Sequence, residues 1–154
     1  MISHLTKETR EIAKEFLTKL ASRKDGATVV GLFGDLGAGK TAFTQAIAKE
    51  LGIKRKVNSP TFVIMKKYDL KHKDFKNLFH LDAYRLKNEK ELLSLGWEEM
   101  ISNPKNLVFI EWPENIKKAM PKKHHQIHIS HLPCRNNAPV GTKEGHRQFK
   151  IKRV

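Results

Sequence analysis

Residues 34–41 read Gly34-Asp35-Leu36-Gly37-Ala38-Gly39-Lys40-Thr41, a complete G-x-x-x-x-G-K-T stretch, and its setting decides the fold. Ahead of it, Ala27-Thr28-Val29-Val30-Gly31-Leu32-Phe33 is a short apolar run with the composition of a buried strand. Behind it, Thr41 to Leu51 has helical spacing, with Phe43, Ala46, Ile47 and Leu51 on one stripe. Strand, glycine-rich loop and helix in that order form the context in which such a loop grips phosphate. Glycines let the backbone wrap an anion without Cβ clashes, successive N–H groups point inward, and the helix start adds the positive end of its dipole. Lys40 then reaches the β- and γ-phosphates, and the Thr41 hydroxyl is placed to ligate Mg²⁺. A nucleoside triphosphate site is therefore expected at Gly34, Asp35, Leu36, Gly37, Ala38, Gly39, Lys40 and Thr41. ATP fits better than GTP, because no Asn-Lys-x-Asp stretch is present.

Composition bounds the rest. A chain of 154 residues is long enough for one domain with one core. No apolar run approaches the ~20 residues of a membrane span, and the N-terminus lacks a secretory apolar core. One cysteine, Cys134, leaves no internal disulfide, so a cytoplasmic protein without membrane contact is expected. Net charge is +14 and unevenly spread: residues 117–154 hold +9 and 54–76 hold +6, while 77–116 hold −3. Two basic segments around an acidic middle suit a polyanionic partner such as RNA, or simply a lysine-rich solvated face.

Working outward, residues 5–21 form an amphipathic pattern with Thr6 as its N-cap. Phe62 to Leu70 and Asn77 to Tyr84 are strand-like runs joined closely enough for a β-hairpin. Glu89 to Leu95 reads as a short helix closed by Gly96, and Asn106 to Glu111 as a fully buried strand. Pro113 to Met120 starts as a helix, His124 to Leu132 and Gln148 to Val154 alternate as strands, and residues 135–147 read as a mobile loop. The fold expected is α/β, a P-loop NTPase-like mixed sheet with a parallel core and added antiparallel strands, flanked by helices.

Three further segments carry chemistry. Leu107-Val108-Phe109-Ile110-Glu111 is an apolar strand ending in a carboxylate, the pattern that supplies a second Mg²⁺ contact, Glu111. The adjacent Trp112 reads as core packing. Asn58-Ser59-Pro60-Thr61-Phe62 follows the phosphate-loop helix, where a Thr61 hydroxyl can sense metal and γ-phosphate. In His80-Leu81-Asp82-Ala83-Tyr84-Arg85 an extended backbone puts His80, Asp82 and Tyr84 on one face, with Asp82 able to orient a water or complete the metal shell. His125, His128, His131 and Cys134 recur every three residues, but strand alternation turns His128 away from the other two, which argues against zinc.

Taken together, these segments resemble the TsaE (YjeE) family of small P-loop ATPases. The match runs through Asp25 to Val30, Gly34 to Thr41, Ser59-Pro60-Thr61-Phe62, His80 to Arg85 and Glu111-Trp112-Pro113, over about residues 5–133. The resemblance implies ATP and Mg²⁺ as cofactors, with Lys40 and Thr41 binding them, Glu111 a second metal contact, Thr61 a switch, and Asp82 supporting hydrolysis. It also implies that Thr6 lies near the nucleotide. Biologically it implies an ATPase, weak alone, that works with the TsaD and TsaB proteins, and through them with tRNA, in threonylcarbamoyl modification of A37 in tRNAs reading ANN codons. A P-loop small-molecule kinase and a non-hydrolysing RNA-binding module are the competing readings. Past Leu132 the chain departs from the family's usual pattern.

Overall fold

A computed structural model describes residues 4–54, 57, 64–131 and 147–152. The N-terminal pattern becomes helix α1 (His4–Thr18), whose buried stripe of Ala13 and Phe16 packs on the sheet. It starts two residues before Thr6, so Thr6 falls inside the helix and not at its cap, and its side chain lies outside the described residues. Strand β1 (Thr28–Phe33) enters the phosphate loop, and helix α2 (Lys40–Glu50) leaves it, ended where Gly52 takes a left-handed φ of 82°. Strands β2 (Met65–Asp69) and β3 (Asn77–Asp82) form the expected hairpin, paired antiparallel from Met65↔Leu81 to Asp69↔Asn77.

Two helices follow where one was read. Helix α3 (Glu89–Leu93) has Asn88 as its N-cap, the side chain accepting from the amides of Lys90 and Glu91. Gly96, at φ 77°, then starts helix α4 (Trp97–Ser102) in addition to closing the turn before it. Trp97 and Met100 drive this extra helix by burying against the sheet. Strand β4 (Asn106–Glu111) is buried throughout, as its composition requires. The helix expected over Pro113 to Met120 is only a 3₁₀ turn, Pro113–Ile116. Ile116 is buried and Ala119 and Met120 pack on the same core, while the intervening Lys117 and Lys118 are exposed, so the contact continues as a turn and not as a further helix. Strands β5 (His125–His131) and β6 (Arg147–Lys152) complete the elements among the described residues. The loop read at 135–147 lies outside the described residues up to Arg147, which opens β6.

All six strands share one sheet in the order β2-β3-β4-β1-β5-β6. The inner four run parallel, and each edge strand is antiparallel to its neighbour. This is the mixed architecture expected, a parallel core with an antiparallel strand added at each edge. One face of the sheet is covered by α1 and α2, where Phe16 meets Phe43 and Phe109 edge-on at 6.2 and 6.4 Å. The other is covered by α3, α4 and the 3₁₀ turn. The carboxyl ends of the parallel strands therefore gather at one rim, the general position for a ligand crevice in such sheets. Among the described residues no helix is long and apolar enough to cross a membrane.

Candidate functional site

The loop leaving β1 bends through glycines in conformations other residues resist: Gly34 at φ 142°, Gly37 at 79° and Gly39 at 105°. At Gly34 a Cβ would land on the Ile129 carbonyl oxygen of β5, so the loop lies against the sheet only because that atom is missing. Gly39 sits at the N-cap of α2, and its carbonyl accepts from the Phe43 amide at 2.9 Å.

Lys40 opens α2 with its side chain curled back into the loop. It is only 4% exposed, and its Nζ donates to the carbonyls of Gly34 at 2.5 Å and Asp35 at 2.9 Å. The same ammonium lies 3.8 Å from the centre of the Trp112 ring. Burial lowers its pKa from the usual lysine value, against the pull of Glu111, Glu114, Asp82 and Asp35.

One residue on, Thr41 Oγ1 donates to Glu111 Oε1 at 2.8 Å. Sheet register explains the meeting: Glu111 at the end of β4 lies level with Leu32, just before the loop, and with Asp82 at the end of β3. From β3, His80 Nε2 donates to the same Glu111 oxygen at 2.7 Å. Both are buried, His80 at 0% and Glu111 at 4% exposure. His80 Nδ1 has no hydrogen-bond partner among the described residues, so the ring's one polar contact is its Nε2–H toward Glu111. Asp82 Oδ1 accepts the Tyr84 amide at 2.9 Å. Burial raises its pKa above the usual carboxylate value and Glu111 adds to the rise, while the Tyr84 amide, His80 and Lys40 oppose it.

These groups face a cleft of about 420 Å³ lined by Leu36, Lys40, Thr41, Asp82, Arg85 and Trp112, among others. A ring of amides with a buried ammonium suits a phosphate chain. The Thr41 hydroxyl and Glu111 carboxylate, with Asp82 beside them, are the hard oxygen donors that Mg²⁺ takes. Of the loop residues expected at the site, Leu36, Gly37, Gly39, Lys40 and Thr41 line the cleft while Gly34, Asp35 and Ala38 do not, and Thr41, Glu111 and Asp82 line it from separate elements. Thr61 lies outside the described residues. The approach to it is anchored by Gln45, whose Nε2 donates to the Val57 carbonyl at 2.6 Å. Among the described residues no group of His, Cys, Asp and Glu forms a metal cluster, and Cys134 lies outside them.

Three contributors were not legible in the sequence. Trp112, read as core packing, lines the cleft with backbone φ 58°, the one positive φ outside glycine among the described residues, and its ring lies 5.0 Å from that of Tyr84. Its place between Glu111 and Pro113 was the available signal. His131 Nε2 is 3.1 Å from the Gly37 carbonyl, and the Arg147 guanidinium carbon stands 2.8 Å from where a Gly39 Cβ would be. Arg147 Nε is buried without a hydrogen-bond partner among the described residues. Only the β5–β6 pairing, His131↔Arg147, brings these two to the loop, and no local pattern announces it.

A family profile described as "Threonylcarbamoyl adenosine biosynthesis protein TsaE" matches residues 3–137. Among curated relatives, the tRNA threonylcarbamoyladenosine biosynthesis protein TsaE of Bacillus subtilis is 43% identical over 122 residues, 79% of this chain and 71% of that protein. Its counterpart of the same name in Haemophilus influenzae is 33% identical over 123 residues, 80% of this chain and 74% of that protein. The crystal structure of Bacillus subtilis YdiB superposes with a TM-score of 0.65 at 32% identity, covering 84% of this chain and 74% of that one.

Proposed function

Because the chain belongs to the TsaE family, we propose that it binds ATP with Mg²⁺ and hydrolyses it in support of threonylcarbamoyl-adenosine formation on tRNA. The relatives' names place them in that biosynthesis. Acting with TsaD and TsaB on A37 of tRNAs reading ANN codons is the finer part of the proposal.

One observation carries the reading: Glu111 Oε1 receives both Thr41 and His80 within 2.8 Å, directly beside the lysine-bearing loop. Magnesium, when bound, neutralises charge on the β- and γ-phosphates. Thr41 and Glu111 are the residues that would hold it. Lys40 supplies an ammonium already desolvated inside the loop, where its field acts with little screening. Loop amides orient the phosphate chain and contribute stabilisation that needs no reorganisation. Asp82, on the same rim and less willing than usual to be charged, is placed to orient the attacking water. Arg147 adds a second cation on the opposite flank of the loop from Glu111 and Asp82, since β5 and β6 lie on the far side of β1.

The test is phosphate release from ATP by the purified chain, alone and with TsaD and TsaB. Release that rises with the partners, needs Mg²⁺ and vanishes in Lys40→Ala is expected. A wild-type chain that retains no nucleotide under any of these conditions overturns the proposal. Transfer of the phosphoryl group to a small molecule in place of water supports the kinase reading.

A further inference from the structure

Half of one sheet face has no helix over it. On that side α3, α4 and the 3₁₀ turn pack against β3, β4 and β1, and among the described residues nothing covers β5 and β6. Strand alternation turns Ile127, Ile129, Phe149 and Ile151 toward the α1–α2 core. His128, Ser130, Lys150 and Lys152 are therefore left exposed on the uncovered face.

Register orders this face. His128 lies between Phe33 of β1 and Lys150 of β6. Its ring stacks on Phe33 with centroids 4.5 Å apart and planes 11° from parallel. Gly31 makes room for the stack, since a Cβ there would stand 3.1 Å from both the Phe33 ring and Pro113. Phe33 thus lies against His128, whose exposed imidazole has Lys150 of β6 as its cross-strand neighbour on the other side. The stretch following the 3₁₀ turn, anchored on this side by Ala119 and Met120, adds exposed Lys117, Lys118, Lys122 and Lys123. Among the described residues none of these lysines, nor Lys150 or Lys152, forms an ion pair. Asp25, whose carboxylate feels Lys123, is already held by Arg23 at 2.7 and 2.9 Å.

We propose that this uncovered face binds single-stranded RNA, with a base stacked on His128 and the phosphates neutralised by Lys150, Lys152 and the lysines of residues 117–123. A flat ring backed by another ring, inside a field of unpaired cations, is the combination that single-stranded nucleic acid uses. Duplex RNA hides its bases from such a ring, and an acidic peptide satisfies the lysines but leaves the ring idle. The face is distinct from the phosphate cleft, so the inference does not depend on ATP hydrolysis.

The experiment uses the full chain, with a fluorescent single-stranded RNA, the same sequence as a duplex, and polyglutamate as probes. Binding of the single strand should weaken steeply between about 50 and 200 mM salt. Lys150→Gln and Lys152→Gln should each reduce the log–log salt slope by about 0.7. His128→Ala should weaken binding about five- to a hundredfold, the contribution of one base–aromatic stack, with the salt slope unchanged. Lys150 and Lys152 are exposed, so melting temperature and ATP hydrolysis should stay at wild-type values in their variants; His128→Ala also gives up the stack on Phe33, and His128→Phe, which keeps a flat ring there, should bind close to wild type. Equal affinity for the duplex or polyglutamate, or single-strand binding indifferent to all three substitutions, overturns the proposal.

Discussion

Glu111 is held by the buried His80 imidazole, whose other ring nitrogen has no hydrogen-bond partner among the described residues, and this makes His80 the residue whose replacement separates position from bulk. His80→Gln keeps an N–H donor near the Nε2 position; His80→Leu fills the space and removes it. Outer partners of a metal-binding carboxylate typically matter about 10–100-fold. His80→Leu should raise the Mg²⁺ concentration for half-maximal ATP hydrolysis by that order, and His80→Gln should recover most of the loss. Asp82 offers a second prediction at this scale. Its pKa is raised in the folded protein, by burial first. Between the ordinary carboxylate value and the raised one, the folded state keeps a proton that the unfolded chain has released. Stability therefore falls as pH rises through that window, and the penalty is complete once the pH has passed the raised value. Asp82→Asn keeps an acceptor for the Tyr84 amide and removes the penalty. The ligand-free variant should melt higher than wild type at pH 7 and gain nothing below about pH 4, while hydrolysis falls about 10²-fold or more.

At the level of elements, the phosphate loop depends on β5 as much as on its own strand and helix, because Gly34 rests on the Ile129 carbonyl. Gly34→Ala should lower the urea midpoint, with about 1–3 kcal/mol from backbone strain alone and more from the collision. A wild-type midpoint would show that the loop stands clear of β5. That dependence also marks where sequence reading ended. Strand β4, the β2–β3 hairpin and the α2 boundary were legible because apolar runs and glycine punctuation are local signals. Helix α4 was not, since Trp97 and Met100 are too close together to display a helical period and their burial is a tertiary fact. Glu111 was legible as a strand-ending acid, and Asp82 as a carboxylate sharing one face of an extended run with His80 and Tyr84, though the strand ends at Asp82 and not at Tyr84. Arg147 and His131 were not, because they reach Gly39 and Gly37 only through the strand order of the finished sheet.

For the whole molecule, a site assembled from β1, β3, β4, α2 and the β5–β6 pair couples nucleotide binding to global stability. Ligand at about 100 times its Kd adds about 2.7 kcal/mol. For a chain of this size that corresponds to a rise of about 5–10 °C in melting temperature. Adding ATP and Mg²⁺ should produce it in wild type, and Lys40→Ala should abolish it. An unchanged shift in Lys40→Ala would move the nucleotide elsewhere. The cation resting 3.8 Å from the Trp112 ring has an optical consequence as well. The chain has two tryptophans, and Trp97 is 2% exposed, with its indole N–H fixed to the Ala119 carbonyl at 3.1 Å. Trp97 should thus emit a steady background, while Trp112 should brighten or dim if the charge beside it is drawn toward a phosphate. On the proposed function, the protein would carry its own fluorescent gauge of whether its lysine is gripping its own backbone or a guest.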